Sequence, residues 1–250
     1  MTTISIRNPE MPRFLISKSP IIDQNTVISG TDYKHIVKVL RLRLGSEITL
    51  FDEDSFEHIG VITHVGTKDI KVKIKESRLV TRESRLSITL LQGLPKGDKM
   101  DLIVEKATEL GVNTIVPVTT ERSQVKNTRR LKRWQRIALE SSKQCGRINP
   151  PSVEEVKELI SAINLYKNRC LRLIFYENAE VNLRNYVRNI NEPPITIVLF
   201  IGPEGGFSEK EVDLAMKCDF IPLSLGPRIF RTETAGIVAV SILQYLFGDL

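Results

Sequence analysis

Two glycine–proline turns constrain this chain more than any other feature. "IGPEGGF" (201–207) follows the apolar run "ITIVLF" (195–200) and precedes the helix-like "SEKEVDLAMK" (208–217). "LGPRIFRTETAG" (225–236) follows "FIPLSL" (220–225) and leads into a last helix from about Thr232 to Phe247. Two successive strands that each end in a glycine turn before a helix point to a parallel sheet covered on both faces. Ligands of such sheets bind at the carboxyl ends of the strands. Glycine permits close backbone approach there, and helix starts offer free N–H donors. Neither G-x-x-x-x-G-K-[ST] nor G-x-G-x-x-G occurs, so the turns resemble neither a triphosphate site nor a standard dinucleotide site. Two such loops on one sheet edge suit a ligand with an adenine edge to read and few phosphates. Arg231, just before "TETA" with Thr232 as an expected N-cap, puts a guanidinium at the rim.

The same alternation extends upstream. Strands are expected at 86–94, 113–120, 171–177, 195–201 and 220–225. Helices are expected at Lys99–Leu110, about 129–145, about 153–163, 181–190 and 208–217. Before the polar stretch "TRESR" (81–85) the pattern differs. "RFLIS" (13–17), "EITLFD" (47–52), "HIGVITHV" (58–65) and "DIKVKIKES" (69–77) alternate with period two. One helix interrupts them in "TDYKHIVKVLRLRLG", with Thr31 as the expected N-cap and Ile36, Val37, Val39 and Leu40 as its apolar face. Short strands, one helix and basic edges suggest a small barrel. Two domains are therefore expected, 1–80 and 81–250.

No apolar run approaches a membrane span, and the start of the chain has no secretory apolar segment. Cys145, Cys170 and Cys218 are too few and too scattered for a disulfide framework or a CxxC zinc pair. The expectation is a cytoplasmic protein with reduced thiols and no bound metal. Net charge is +6 and unevenly spread. From Arg122 to Arg147 nine basic residues face one acid, Glu140, an electrostatic footprint for nucleic acid.

The segments "MPRF" (11–14), "HIVKVLRLRLG" (35–45), "KMDLIVEKATELGV" (99–112), "ERS" (121–123), "RW" (133–134), "QCGR" (144–147), "IGPEGGFSEKEV" (201–212) and "LSLGPRIFRTETA" (223–235), in this order, resemble the RsmE family. These are SPOUT-superfamily methyltransferases of small-subunit ribosomal RNA. The resemblance runs from about residue 11 to the closing "FGDL". It implies an N-terminal PUA-like RNA-binding β-barrel and a C-terminal SPOUT α/β domain with a deep trefoil knot. It implies S-adenosylmethionine as methyl donor, a homodimer, and N3-methylation of one uridine in the decoding region of 16S rRNA, within the 30S subunit. It also implies the cofactor residues. Ile201, Gly202, Pro203, Gly205 and Gly206 would form one wall. Leu223, Leu225, Gly226, Ile229 and Phe230, with Arg231, Thr234 and Ala235, would form a second. Phe175, Tyr176 and Glu177 would form the third. Phe230 stands where the family often has Leu.

The chemistry follows. Uracil N3–H is a poor nucleophile until it loses its proton, and methylation at C5 would need a thiolate, which no candidate loop contains. Arg231 is expected to stabilise charge developing on a uracil oxygen. Glu204 and Glu233 are candidates for accepting the proton or orienting Arg231, with a dipole role open for Glu233. RNA contacts are expected from Arg13, His35, Arg41 and Arg43 in the barrel, and from Arg122, Lys126, Arg129, Arg130, Arg133 and Arg147 beyond it, chiefly to phosphates. His58 and His64 read as structural or surface residues. Two alternatives stay open: a non-catalytic RNA-binding protein, and a SPOUT tRNA ribose 2′-O-methyltransferase. Families of the latter usually place an Asn and an Arg early in the knotted domain, where this chain has "GLPKGDKM" with Lys96 and Lys99.

Overall fold

A computed structural model describes residues 11–16, 21–52, 56–80, 83–125, 128–166 and 170–250; Lys126 lies outside the described residues. The chain divides into two units, Met1–Arg82 and Glu83–Leu250.

In the first unit, strands β1 (Arg13–Leu15), β2 (Asn25–Ser29), β3 (Glu47–Phe51), β4 (Phe56–Val65) and β5 (Asp69–Leu79) form one sheet in the order β1-β3-β4-β5-β2. β1 and β3 run parallel and the other pairs antiparallel. Period-two patterning turns Ile48, Leu50, Ile62, Ile70 and Val72 inward onto Phe14 and Ile36. β2 was not expected: its "NTVIS" buries only Thr26 and Ile28, too few for a visible apolar run. The expected helix also differs. Helix α1 (Gly30–Lys34) starts after Ser29 rather than Thr31, and continues as a single wide π-turn, His35–Val39. Ile36 enters the core and Val37 packs against it, but Val39 and Leu40 are exposed, so only half of the expected apolar face forms.

The second unit carries a parallel sheet. Its strands are β6 (Ser87–Gly93), β7 (Thr114–Thr119), β8 (Ser152–Val153), β9 (Lys157–Glu158), β10 (Leu171–Phe175), β11 (Thr196–Ile201) and β12 (Ile221–Leu223). The order is β12-β10-β11-β6-β7-β8, with β9 also on β7. Its helices are α2 (Lys99–Glu109), α3 (Leu131–Cys145), α4 (Leu159–Asn164), α5 (Leu183–Val187), α6 (Glu209–Met216) and α7 (Thr232–Phe247). Side chains alternate between two cores. Ile197, Leu199 and Ile201 of β11 face the core that includes α2, α3 and α7, and Val198 and Phe200 face the one that includes α4 and α6. Burial on both faces explains why the strands read as continuous apolar runs.

Two helices are shorter than expected. α5 occupies only the middle of 181–190. Much of 153–163 is extended, because Ser152–Val153 and Lys157–Glu158 pair with the otherwise open edge of β7. The basic helix, expected from about 129, begins at Leu131.

Candidate functional site

The carboxyl ends of β10, β11 and β12 open into a cavity of about 650 Å³. That is within the range of small-molecule sites, roughly 300–1,000 Å³. Three loops wall it: Phe175–Glu177, Ile201–Gly206 and Ser224–Arg231. Lys99 from the start of α2 and Thr232 and Ala235 from the start of α7 complete it.

The first glycine loop is braced on several sides. A side chain on Gly205 would begin 2.9 Å from Cβ of Arg122, whose Nη1 donates to the Gly205 carbonyl at 2.9 Å. Gly206 has φ +67, and a side chain there would begin 2.9 Å from Oε1 of Glu177. Gly93, at the end of β6, lies so close to Pro203 that a Cβ would come within 2.5 Å of it. Beneath the loop, the Thr232 hydroxyl donates to the Gly202 carbonyl, and Gln92 Nε2 donates to Thr232 Oγ1 at 2.9 Å. Thr232 is thus the first residue of α7, not its N-cap, and its hydroxyl ties the helix to the loop. After the loop, Ser208 and Glu211 form a capping box for α6. Glu211 Oε1 also accepts from the Glu121 N–H at 2.7 Å, fixing the segment that carries Arg122.

The second loop is open. Gly226 has φ +118 with nothing within 4 Å of a would-be Cβ, and Ile229 is 85% exposed. Arg231 is exposed at the rim, as expected.

Charge gathers around Lys99. Its Nζ donates to Glu204 Oε1 at 2.8 Å and lies 3.7 Å from Glu233 Oε2. The Lys96 N–H also donates to Glu204, at 3.1 Å. The hydrogen bond to Glu204 raises the Lys99 pKa above the usual lysine value. Burial pushes the Glu204 carboxyl up, but Lys99 and the backbone N–H groups outweigh it and hold the group below the usual carboxylate value. The two acids expected to orient Arg231 therefore face Lys99. Glu233 Oε2 is buried without a hydrogen-bond partner, at the positive end of α7.

Of the residues expected to hold a cofactor, Phe175, Tyr176, Glu177, Ile201, Gly202, Pro203, Gly205, Gly206, Leu225, Gly226, Ile229, Phe230, Arg231 and Ala235 line the cavity. Leu223 and Thr234 do not: Leu223 is buried in the core, and its carbonyl accepts from the Tyr176 N–H. Lys99, Ser224, Pro227, Arg228 and Thr232 line it as well. The signal for Lys99 was its place just after β6, on the sheet edge that carries both glycine loops.

The basic residues divide. Arg147 is 6% exposed and binds Glu83 and the carbonyls of Thr108 and Val112. Arg13 is 12% exposed and paired with Glu57 at 3.0 Å, with its guanidinium over Phe51. Both brace their own units, where RNA contacts were expected. His35 sets its ring against the edge of Phe14. Arg130 pairs with Asp98 and Arg133 with Asp101. Arg129, Lys132 and Arg136 have no acidic partner among the described residues, and Arg41 and Arg43 are exposed.

The fold and cavity define a class first. A family model described as "RNA methyltransferase domain" matches residues 82–244, and one described as "RNA methyltransferase PUA domain" matches residues 28–75. Ribosomal RNA small subunit methyltransferase E of Buchnera aphidicola (subsp. Acyrthosiphon pisum) is 31% identical, covering 99% of this chain and 98% of that one. The protein of that name from Bacillus subtilis is 30% identical, covering 87% and 89%. The crystal structure of the Neisseria gonorrhoeae protein of that name, bound to S-adenosylmethionine, superposes with a TM-score of 0.88 at 34% identity, covering 96% of this chain and 99% of that one. The chain belongs to the ribosomal RNA small subunit methyltransferase E family.

Proposed function

We propose that this chain transfers a methyl group from S-adenosylmethionine to N3 of one uridine in the decoding region of 16S rRNA, within the 30S subunit. The observation that carries the reading is the cavity walled by three strand-end loops in a chain of this family. S-adenosylmethionine supplies the methyl already activated on a sulfonium. A cavity of about 650 Å³ lies within the size range of such small-molecule sites. Leu225, Ile229 and Phe230 give an apolar wall, the glycine loop gives backbone groups, and Glu177 gives an acceptor.

The protein's own task is to position the uracil and manage one proton. Arg231 and Lys99, both lining the cavity, provide the positive charge that uracil oxygens need as N3 loses its proton. Glu204, tied up by Lys99 and held ionised, orients that lysine. Glu233 stands beside the cavity rather than in its lining, with Oε2 buried without a hydrogen-bond partner 3.7 Å from Lys99 Nζ, and is the other candidate for accepting the proton. None of the three cysteines lines the cavity, which supports N-methylation over attack at C5. Arg129, Lys132 and Arg136 would meet phosphates, and the first unit, as a PUA-like barrel, would hold further rRNA through Arg41 and Arg43.

We infer the family's knot and homodimer as well. Support for the knot comes from two ties between distant segments: Ser224 exchanges backbone hydrogen bonds with Val181 and Leu183, and the Thr232 hydroxyl donates to the Gly202 carbonyl. Support for the dimer comes from Ile242, Tyr245 and Leu246, apolar and exposed on α7. Among the described residues no helix is long and apolar enough to cross a membrane, and a cytoplasmic setting follows from the rRNA substrate. The test is mass spectrometry of nucleosides from 16S rRNA, after incubating 30S subunits from cells lacking the protein with enzyme and S-adenosylmethionine. A gain of 3-methyluridine is expected. A gain of 2′-O-methyl or 5-methyl nucleoside, or none, would overturn the reading.

A further inference from the structure

The end of the π-turn and the loop after it expose three large apolar residues: Val39 is 67% exposed, Leu40 37% and Leu44 68%. They do not dangle. The Leu40 N–H donates to the His35 carbonyl at 2.9 Å, and the Leu42 N–H to the Ile36 carbonyl at 3.0 Å. Ile36 is fully buried and Leu42 packs on the same core. On the far side the Gly45 N–H donates to the Ile62 carbonyl at 2.8 Å, and the Arg43 N–H to Ser46 Oγ at 3.0 Å. Between these anchors Arg41 holds φ +55, a left-handed conformation that costs a non-glycine residue energy. The result is a pinned ridge that keeps apolar side chains in water.

Charge says what should cover it. Residues 33–46 contain Lys34, Lys38, Arg41 and Arg43 and no acid, and all four are exposed. A second copy of the chain would bring like charges together. RNA offers both halves of the match: phosphates for the cations, and base faces for the apolar groups once bases are unstacked. Apolar side chains on basic protein surfaces are known to wedge between bases. The ridge also lies within the segment matched by the RNA methyltransferase PUA domain.

We propose that Val39 and Leu44 form an apolar wedge that packs against unstacked bases of the ribosomal RNA, while Arg41 and Arg43 hold the flanking phosphates. This rests on the reading that the first unit binds rRNA. The wedge contributes affinity that does not depend on salt, because no counterion is released by an apolar contact. The arginines contribute affinity that does.

The test is binding of the full-length protein to 30S subunits across a salt series. Val39→Ser combined with Leu44→Ser should weaken binding about tenfold or more and leave the slope of log K against log salt unchanged. Arg41→Ala combined with Arg43→Ala should flatten the slope by about 1.4 to 1.8, two contacts at roughly 0.7 to 0.9 each. Leu44→Phe, with a wider face for stacking, should match or exceed wild-type affinity. Circular dichroism melts would confirm that these exposed changes leave the fold intact. An affinity within twofold of wild type for the serine variant, alongside a flattened slope for the alanine variant, would overturn the wedge alone. No effect from either variant would overturn rRNA binding by the first unit. Wild-type binding to phosphatidylserine vesicles, lost in the serine variant while 30S binding is kept, would reassign the ridge to a membrane surface.

Discussion

The two glycine loops look alike in sequence and are built in opposite ways. In the first, neighbours crowd the glycines: Arg122 stands against Gly205, and Glu177 against Gly206, which also needs its φ of +67. In the second, Gly226 has open space around it and needs glycine for its backbone angle. The first loop is a frame, tied through Thr232 and Gln92 to α7 and through Arg122 to the segment after β7. The second is a free-standing wall whose exposed Ile229 awaits a partner. The same residue type thus marks packing in one place and conformation alone in the other. Damage to the frame should appear as lost stability, and damage to the wall as lost function.

The sharpest test of the wall is Arg231→Ala. A donor aimed at developing charge is worth about 3–4 kcal/mol, so single-turnover methylation of 30S subunits should slow about a hundred- to a thousandfold. Because Arg231 is exposed, the melting temperature should hardly move. A loss below about threefold would remove Arg231 from the chemistry. Arg231→Lys should recover only part of the rate, since it keeps the charge without the planar fork.

Gly226→Val comes next. A β-branched residue at φ +118 carries strain of about 1–3 kcal/mol, yet meets no neighbour. The loop should re-form differently, and calorimetry should show S-adenosylmethionine binding about tenfold weaker in a protein that melts normally. Unchanged affinity would mean the second loop does not wall the cofactor.

Gly205→Ala should do the reverse. Its new methyl collides with the fixed stem of Arg122, and overpacking of this kind costs about 1–3 kcal/mol. Arg122→Gly should relieve it, so thermal melts of the four proteins in the cycle should show coupling. Additive effects would break the idea of a frame.

The smallest effect concerns the Lys99–Glu204 pair. Glu204 is depressed in the folded state, so its contribution is present above the unfolded carboxylate pKa and fades as pH falls through the folded value. Lys99 is raised, so its contribution fades only as pH climbs through its folded value. The melting difference between wild type and Glu204→Gln should therefore be widest near neutral pH and close in acid. Both side chains are partly exposed, which limits it to under about 1 kcal/mol. A difference independent of pH would separate Glu204 from Lys99.

Much of this architecture is legible in one dimension. Apolar strand runs, helix periodicity and turn glycines are local signals, and they announced the parallel sheet and the edge that carries the site. β2 and the β8–β9 segment escaped because their strand character comes from pairing with β5 and β7, partners about 40 residues away along the chain. The nine-to-one basic stretch is less one-sided in space than along the chain, for a related reason. Asp98, Asp101 and Glu83 come from outside the stretch to neutralise Arg130, Arg133 and Arg147.

By itself, the sequence determined the parallel sheet and both glycine loops, because period and turn chemistry are properties of neighbouring residues, and its resemblance to the RsmE family supplied most of the cavity's lining. Tertiary structure decided what each charged or small group faces. It set Lys99 between Glu204 and Glu233, spent the Thr232 hydroxyl on Gly202, paired Arg13 with Glu57, buried Arg147, and left Val39 and Leu44 in water. Those outcomes depend on which distant segments pack together. Desolvation and pairing act through space, so no local pattern can record them.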